Sequence, residues 1–143
     1  MKNIIVFTDG GARGNPGPAA VGVIIKSQTD KEEIIASFGK RIGKTTNNVA
    51  EYSAVIEALV WIKQNSSIIQ MPDCLITFFL DSKLVVNQLN GYFKINDSHL
   101  RDLLVRIRQL ETEIGKNIFY NFIPREQNQL ADRLVNKALD AKI

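Results

Sequence analysis

Cysteine and histidine are nearly absent from this chain. Cys74 is the single cysteine, so an internal disulfide is excluded. Its place just before an apolar run marks it as a buried thiol rather than a reactive one. His99 is the single histidine and has no partner at metal-ligand spacing, which leaves zinc sites and histidine-based triads unsupported. No apolar stretch approaches membrane-spanning length, and Met1-Lys2-Asn3-Ile4 runs straight into a strand pattern without a visible leader. A soluble, cytoplasmic protein with no membrane partner is expected. A strong excess of one charge is also missing. The 18 basic and 15 acidic residues leave a net charge of +3, which permits an anionic partner without requiring one. No repeats, low-complexity tracts or linkers interrupt the 143 residues. A hydrophobic content of 45% is enough to fill a core, so one domain spanning residues 1–143, monomeric by default, is expected.

Two apolar runs each stop on an aspartate: Ile4-Ile5-Val6-Phe7-Thr8-Asp9-Gly10-Gly11 and Leu75-Ile76-Thr77-Phe78-Phe79-Leu80-Asp81-Ser82. Runs this rich in Ile, Val and Phe read as strands buried on both faces, in the middle of a covered, mostly parallel sheet. Side by side and parallel, they would bring both carboxylates out at the sheet end where open α/β sheets place ligands. Two carboxylates at one edge repel unless a cation sits between them, and oxygen-bound divalent metals suit that role.

The remaining elements follow from periodicity. Strands are expected at about Lys2–Asp9, Ala20–Lys26 and Glu33–Arg41, the last two continuing an antiparallel meander. Thr46–Gln64 is apolar on nearly every side and reads as a buried helix. Met71-Pro72-Asp73 is a turn, and Ser82–Asn90 a short helix ended by Gly91. Between Asn96 and Glu113, Leu100, Leu103, Leu104, Ile107, Leu110 and Ile114 share one helical face. Ile118–Ile123 is a last strand, and Gln127–Ala141 a last helix with Leu130, Leu134, Val135 and Ala138 turned inward. Three hairpin-linked strands followed by α/β alternation predict an α/β fold with a mixed sheet and helices packed on it.

The glycine-rich stretch Gly10–Gly17 is not a phosphate loop. It lacks a Walker lysine and leads through Pro16 and Pro18 into a strand rather than a helix. A wide turn using positive φ angles is the plain reading. Its position directly after Asp9 also lets its amides and Asn15 face a nucleic-acid backbone. Four acids have ordinary local readings as well. Asp9 could end a strand, Asp81 could cap a helix, Glu51 could form a capping box with Asn48, and Asp132 could favour a helix N-terminus. Two arguments favour a site. Glu51 sits on an otherwise apolar helix, where metal ligation offsets the cost of a buried carboxylate. All four acids lie at strand ends or in early helical turns that can converge. Glu57 is about 240° around the helix from Glu51 and is not expected to join them.

Taken together, these segments resemble type 1 ribonuclease H. Phe7-Thr8-Asp9-Gly10-Gly11 with Gly14-Asn15-Pro16-Gly17-Pro18-Ala19 is similar to the family's opening motif, and Thr46-Asn47-Asn48-Val49-Ala50-Glu51-Tyr52 to its Thr-Asn-Asn-x-x-Glu helix start. Leu80-Asp81-Ser82 resembles the third motif, and Pro124-Arg125-Glu126-Gln127-Asn128 through Ala131-Asp132 the fourth, in family order over about residues 3 to 140. The resemblance implies a ribonuclease H-like fold: a five-stranded mixed sheet with helices on both faces. It also implies hydrolysis of the RNA strand of an RNA–DNA hybrid, leaving 5′-phosphate and 3′-hydroxyl ends. Two Mg²⁺ ions, with Mn²⁺ able to substitute, would be held by Asp9, Glu51, Asp81 and Asp132. One ion would activate water and the other would stabilise the leaving oxygen. By the same resemblance Asp9 bridges both ions, Glu51 and Asp81 serve the leaving-group side, and Asp132 serves the nucleophile side. Asn15, Asn47 and Asn48 would meet the minor groove, and Thr46 a DNA phosphate. Gly10, Gly11, Arg13 and Lys83 complete the expected substrate-binding set.

Two departures from the family pattern stand out. The loop before Asp132 carries Pro124-Arg125-Glu126 where many members have a histidine. Arg125 is the candidate to take over, by attracting a phosphate. The basic protrusion of some members is also missing, since Asn90-Gly91-Tyr92-Phe93-Lys94-Ile95-Asn96 passes directly into the next helix. Tyr92, Phe93 and Lys94 are open to a reduced contact with the DNA strand or to core packing. Arg101 and Arg108 are open to a phosphate stripe or plain solvated surface. Two other functions remain alongside the hybrid ribonuclease: a non-catalytic hybrid- or RNA-binding module, and a related nuclease that also acts on double-stranded RNA.

Overall fold

The structure, a computed structural model, describes residues 3–29, 31–70 and 72–141. In chain order these form β1 (Asn3–Ala12), β2 (Gly17–Gln28), β3 (Glu32–Thr45), α1 (Asn47–Gln64), β4 (Leu75–Leu80), α2 (Lys83–Leu89), α3 (Ser98–Ile114), β5 (Asn117–Phe122) and α4 (Gln129–Asp140). Single 3₁₀ turns occupy Ser66–Ile69 and Arg125–Gln127. Five strands make one mixed sheet in the order β3-β2-β1-β4-β5. β1, β2 and β3 form the antiparallel meander, while β4 runs parallel to both β1 and β5. The two aspartate-tipped runs are therefore central neighbours, as their composition predicts. Phe7 pairs with Phe79, so Asp9 and Asp81, each two residues further on, leave the sheet at the same end.

Helices cover both faces. Adjacent residues of a strand point to opposite faces. A Cβ on Gly10 would meet α1 at Ala50, whereas one on Gly11 would meet Val135 of α4. The larger core lies on the α1 side, where Ile4, Val6, Ile76 and Phe78 of the sheet meet Tyr52, Val55, Leu59 and Ile62. The leucine stripe of α3 closes it: Leu100, Ile107 and Leu110 are buried, with Leu103, Leu104 and Ile114 packed at the margin. Cys74 is buried there too, as expected. Among the described residues no helix is long and apolar enough to cross a membrane.

Several boundaries differ from the sequence expectation. β1 continues through the glycines, pairing Gly10 with Val21 and Ala12 with Ala19, so the loop shrinks to residues 13–16. In that loop only Gly14 has a positive φ (98°). Gly10 serves a different need: a Cβ there would lie 2.1 Å from the Ala50 carbonyl oxygen. Glycine at this point lets α1 approach β1 far more closely than any side chain allows. β3 runs on to Thr45 because it pairs with β2 as far as Gly17. On α4, Leu130 does not turn inward as expected but stays 48% exposed, and Ala131 is buried instead. Gly22 explains this, since its missing side chain leaves room for the Ala131 backbone against the sheet. Lys2 of the first expected strand and Met71 of the expected turn lie outside the described residues.

Candidate active site

None of the four acids is used to cap a helix. Asp9 is buried on β1, with its neighbour Gly10 against α1. Thr46 is the N-cap of α1, its Oγ1 accepting from the Val49 amide at 3.3 Å. The alternative reading of Glu51 as part of a capping box with Asn48 therefore falls away, because the cap lies two residues earlier. Glu51 then lies in the second turn, buried, with its Oε2 lacking any hydrogen-bond partner. Ser82, not Asp81, caps α2 through the Val85 amide at 3.3 Å. Asp132 occupies the first turn of α4. Glu57 points elsewhere and pairs with Lys40 at 3.0 Å, in line with its angle on the helix.

Oxygen atoms of Asp9, Glu51 and Asp81 lie within 4.8 Å of one another, the one group among the described residues with that potential for a metal ion. Asp132 stands beside Asp9 rather than inside this trio, and all four line one open cavity of about 460 Å³. Burial, followed by the charges of Asp81 and Asp132, pushes the Asp9 carboxyl up to about 7. Glu51 is raised well above the usual carboxylate range, first by burial and then by Asp9 and Asp81, while the Arg125 guanidinium pulls it back down. Crowded acids with an unpartnered buried oxygen and an all-oxygen donor set fit a hard divalent cation such as Mg²⁺.

The same cavity is lined by Gly10, Gly11, Arg13, Asn47, Asn48 and Arg125 of the expected contacts, and by Ser82, Asn136 and Leu139, which were not expected. Asn15 and Thr46 do not line it. Asn15 Oδ1 accepts from the Asn47 amide, and Asn47 Oδ1 from the Ala12 amide, both at 2.9 Å, which locks the β1–β2 loop to the start of α1. Arg13 is held at the rim by Asp140 at 2.6 Å and by Asn136 at 3.4 Å. Lys83 falls outside the cavity lining, its ammonium 5.0 Å from the centre of the Phe122 ring.

The two open readings outside the cavity resolve in different directions. Tyr92 (77% exposed) and Phe93 are not core residues. Arg108 is structural: it makes a two-pronged contact with Glu111 and donates to the Leu89 carbonyl. Arg101 remains exposed. One residue at the site had no assigned role. Asn128 is buried and donates through Nδ2 to the Thr8 carbonyl at 2.9 Å and to Asp81 Oδ2 at 3.2 Å. Its place four residues before Asp132 in the fourth motif was the available signal.

A family model described as "Reverse transcriptase-like" matches residues 7–138. Ribonuclease HI of Halobacterium salinarum is 42% identical over 134 residues, covering 94% of this chain and 63% of that protein. A bifunctional protein of Mycobacterium tuberculosis is 36% identical over 138 residues, covering 96% of this chain and 36% of its own length. The chain thus spans less than two thirds of these relatives. LC11-RNase H1, isolated from compost, superposes with a TM-score of 0.88 at 41% identity, covering 98% of this chain and 97% of that one. Its crystal structure in complex with an RNA/DNA hybrid matches with a TM-score of 0.87 at 40% identity, covering 96% of each chain. With the motifs in order and the fold in agreement, the chain belongs to the type 1 ribonuclease H family.

Proposed function

We propose that this protein is an endonuclease that hydrolyses the RNA strand of RNA–DNA hybrids with the help of divalent metal ions, leaving 5′-phosphate and 3′-hydroxyl ends. The observation that carries this reading is the convergence of Asp9, Glu51 and Asp81, from three different elements, with Asp132 beside them in one open cavity. Kinship with proteins named ribonuclease H, one of them crystallised on a hybrid, supports the substrate. Asp9, Glu51, Asp81 and Asp132 would hold two Mg²⁺ ions, with Mn²⁺ able to replace them. Bound there, the ions supply an activated water and charge stabilisation for the departing oxygen.

The remaining residues bind and orient. The first turn of α1, tied to the β1–β2 loop through Asn15 and Asn47, carries Asn47 and Asn48 on the cavity wall beside the acids, suited to minor-groove edges and 2′-hydroxyls. Arg13 at the rim and Arg125 near Glu51 place positive charge where phosphates must approach four acids. A pure binding module gains nothing from crowded carboxylates near phosphates, which disfavours that alternative.

The test is cleavage of an end-labelled hybrid, alongside matched RNA and DNA duplexes, with Mg²⁺ and with chelator, by native protein and Asp9→Asn. Chelator-sensitive cutting of the RNA strand alone, lost in the variant, is the expected result. Tight hybrid binding without cutting in Mg²⁺ or Mn²⁺ would establish a binding module instead. Equal cutting of double-stranded RNA would broaden the substrate.

A further inference from the structure

We infer that Asn128 is a positioning residue that sets the orientation of the Asp81 carboxylate, and through it the metal affinity of the site; this rests on the proposed metal site. Asn128 joins the three elements that deliver Asp9, Asp81 and Asp132. Its side-chain amide donates at once to the carbonyl of Thr8, the residue before Asp9, and to Asp81 Oδ2. Its own carbonyl accepts from the Asp132 amide at 3.2 Å, and its amide donates to the Arg125 carbonyl at 2.9 Å. The side chain does not cap α4, although Asn128 occupies the N-cap position. Both donors are committed to the site rather than to the helix.

Burial makes this arrangement rigid. Asn128 is 1% exposed and its Oδ1 has no partner, so the amide cannot flip without turning that oxygen toward two other acceptors. A donor on Asp81 Oδ2 occupies one carboxylate oxygen and leaves the other for a cation. A hydrogen bond that orients a metal-binding carboxylate is typically worth about 10–100-fold in metal affinity or activity. The short strand β4 ends at Leu80, so Asp81 lies beyond the ladder, where no regular pairing fixes its direction.

The experiment compares Asn128→Ala with native protein, each with and without Asp81→Asn, by calorimetric titration with Mg²⁺ and by thermal unfolding in chelator. For the cleaving pair, kcat and KM are measured as well. Asn128→Ala is expected to weaken Mg²⁺ binding about 10-fold or more and to lower kcat at saturating hybrid with KM little changed. In the Asp81→Asn background the same substitution should change Mg²⁺ affinity less than about 2-fold, because the group it acts through is gone. A merely structural asparagine would cause the same loss in both backgrounds, tracking the loss of unfolding temperature. That outcome, or unchanged Mg²⁺ binding in Asn128→Ala, overturns the inference while leaving the proposed function intact. Absence of Mg²⁺ binding by the native protein overturns both.

Discussion

Replacing Asp9 with asparagine should make the metal-free protein more stable while abolishing its proposed activity. Asp9 lies buried beside Glu51, Asp81 and Asp132, and burial together with the charges of Asp81 and Asp132 pushes its carboxyl up to about 7 from the usual 3.8. Every tenfold rise in proton affinity is worth about 1.4 kcal/mol, so ionising Asp9 in the folded chain costs on the order of 4 kcal/mol. Because the folded value lies above the unfolded one, the corresponding stability is fully present below pH 3.8 and is lost as pH climbs through 7. Asparagine is neutral throughout and keeps it. At pH 8 in chelator, Asp9→Asn should therefore gain roughly 2–4 kcal/mol, or about 6–12 °C in Tm for a chain of this size. The gain should shrink toward zero at pH 4. Saturating Mg²⁺ should narrow it at pH 8 by stabilising the native protein more than the variant. Circular dichroism melts across this pH range, with and without Mg²⁺, measure each quantity. An Asp9→Asn Tm at or below the native value at pH 8, or a gain independent of pH, would refute the electrostatic reasoning.

Three other substitutions probe the rest of the molecule. Gly10→Ala puts a Cβ 2.1 Å from the Ala50 oxygen, backbone against backbone, and should cost about 3 kcal/mol or more in urea unfolding; a loss under 1 kcal/mol would show that α1 can retreat freely. Arg125→Ala should lower kcat on hybrid while leaving binding largely intact, since its charge faces Glu51, and unchanged turnover would reject a catalytic role. Joint replacement of the exposed Tyr92 and Phe93 by alanine should weaken hybrid binding several-fold without moving Tm, against a background of steep salt dependence. Affinity insensitive to salt would count against the phosphate contacts.

The sheet and its site end were legible because central strands are rich in Ile, Val and Phe, although the structure fully buries only alternate residues of β4 and leaves Leu75, Thr77 and Phe79 half-buried rather than enclosed on both faces. Ile4–Phe7 and Leu75–Leu80 read as central strands, and their terminal aspartates emerge together as neighbours. The leucine stripe of α3 was equally plain, since an amphipathic face carries its period in the chain. Close approach was not legible. Nothing local marks Gly10 and Gly22 as contact points for Ala50 and Ala131, so the glycine run passed for a turn and Leu130 for a core residue. Side-chain commitments made across the fold were hidden for the same reason. Arg108 is used by Leu89, and Asn128 by Thr8 and Asp81, through contacts that sequence spacing does not reveal, whereas the Arg108–Glu111 pair follows from their three-residue spacing on α3.

The two faces of the sheet do not hold the site with equal strength. Asp9, Glu51 and Asp81 hang from elements that share the main core, whereas Asp132 rides on α4, none of whose residues belong to that core. α4 is retained by packing on β1, β2 and β3, by Arg41 bonding to the carbonyls of Ala138, Leu139 and Ala141, by the Arg13–Asp140 pair, and by Asn128 at its N-cap position. It is thus the natural candidate for a separate opening unit, able to detach while the other layer stays folded. Native-state hydrogen exchange should find its amides released at lower free energy than those of α1. Should α4 open in this way, Asp9, Glu51 and Asp81 would stay on the remaining layer while Asp132 left with the helix.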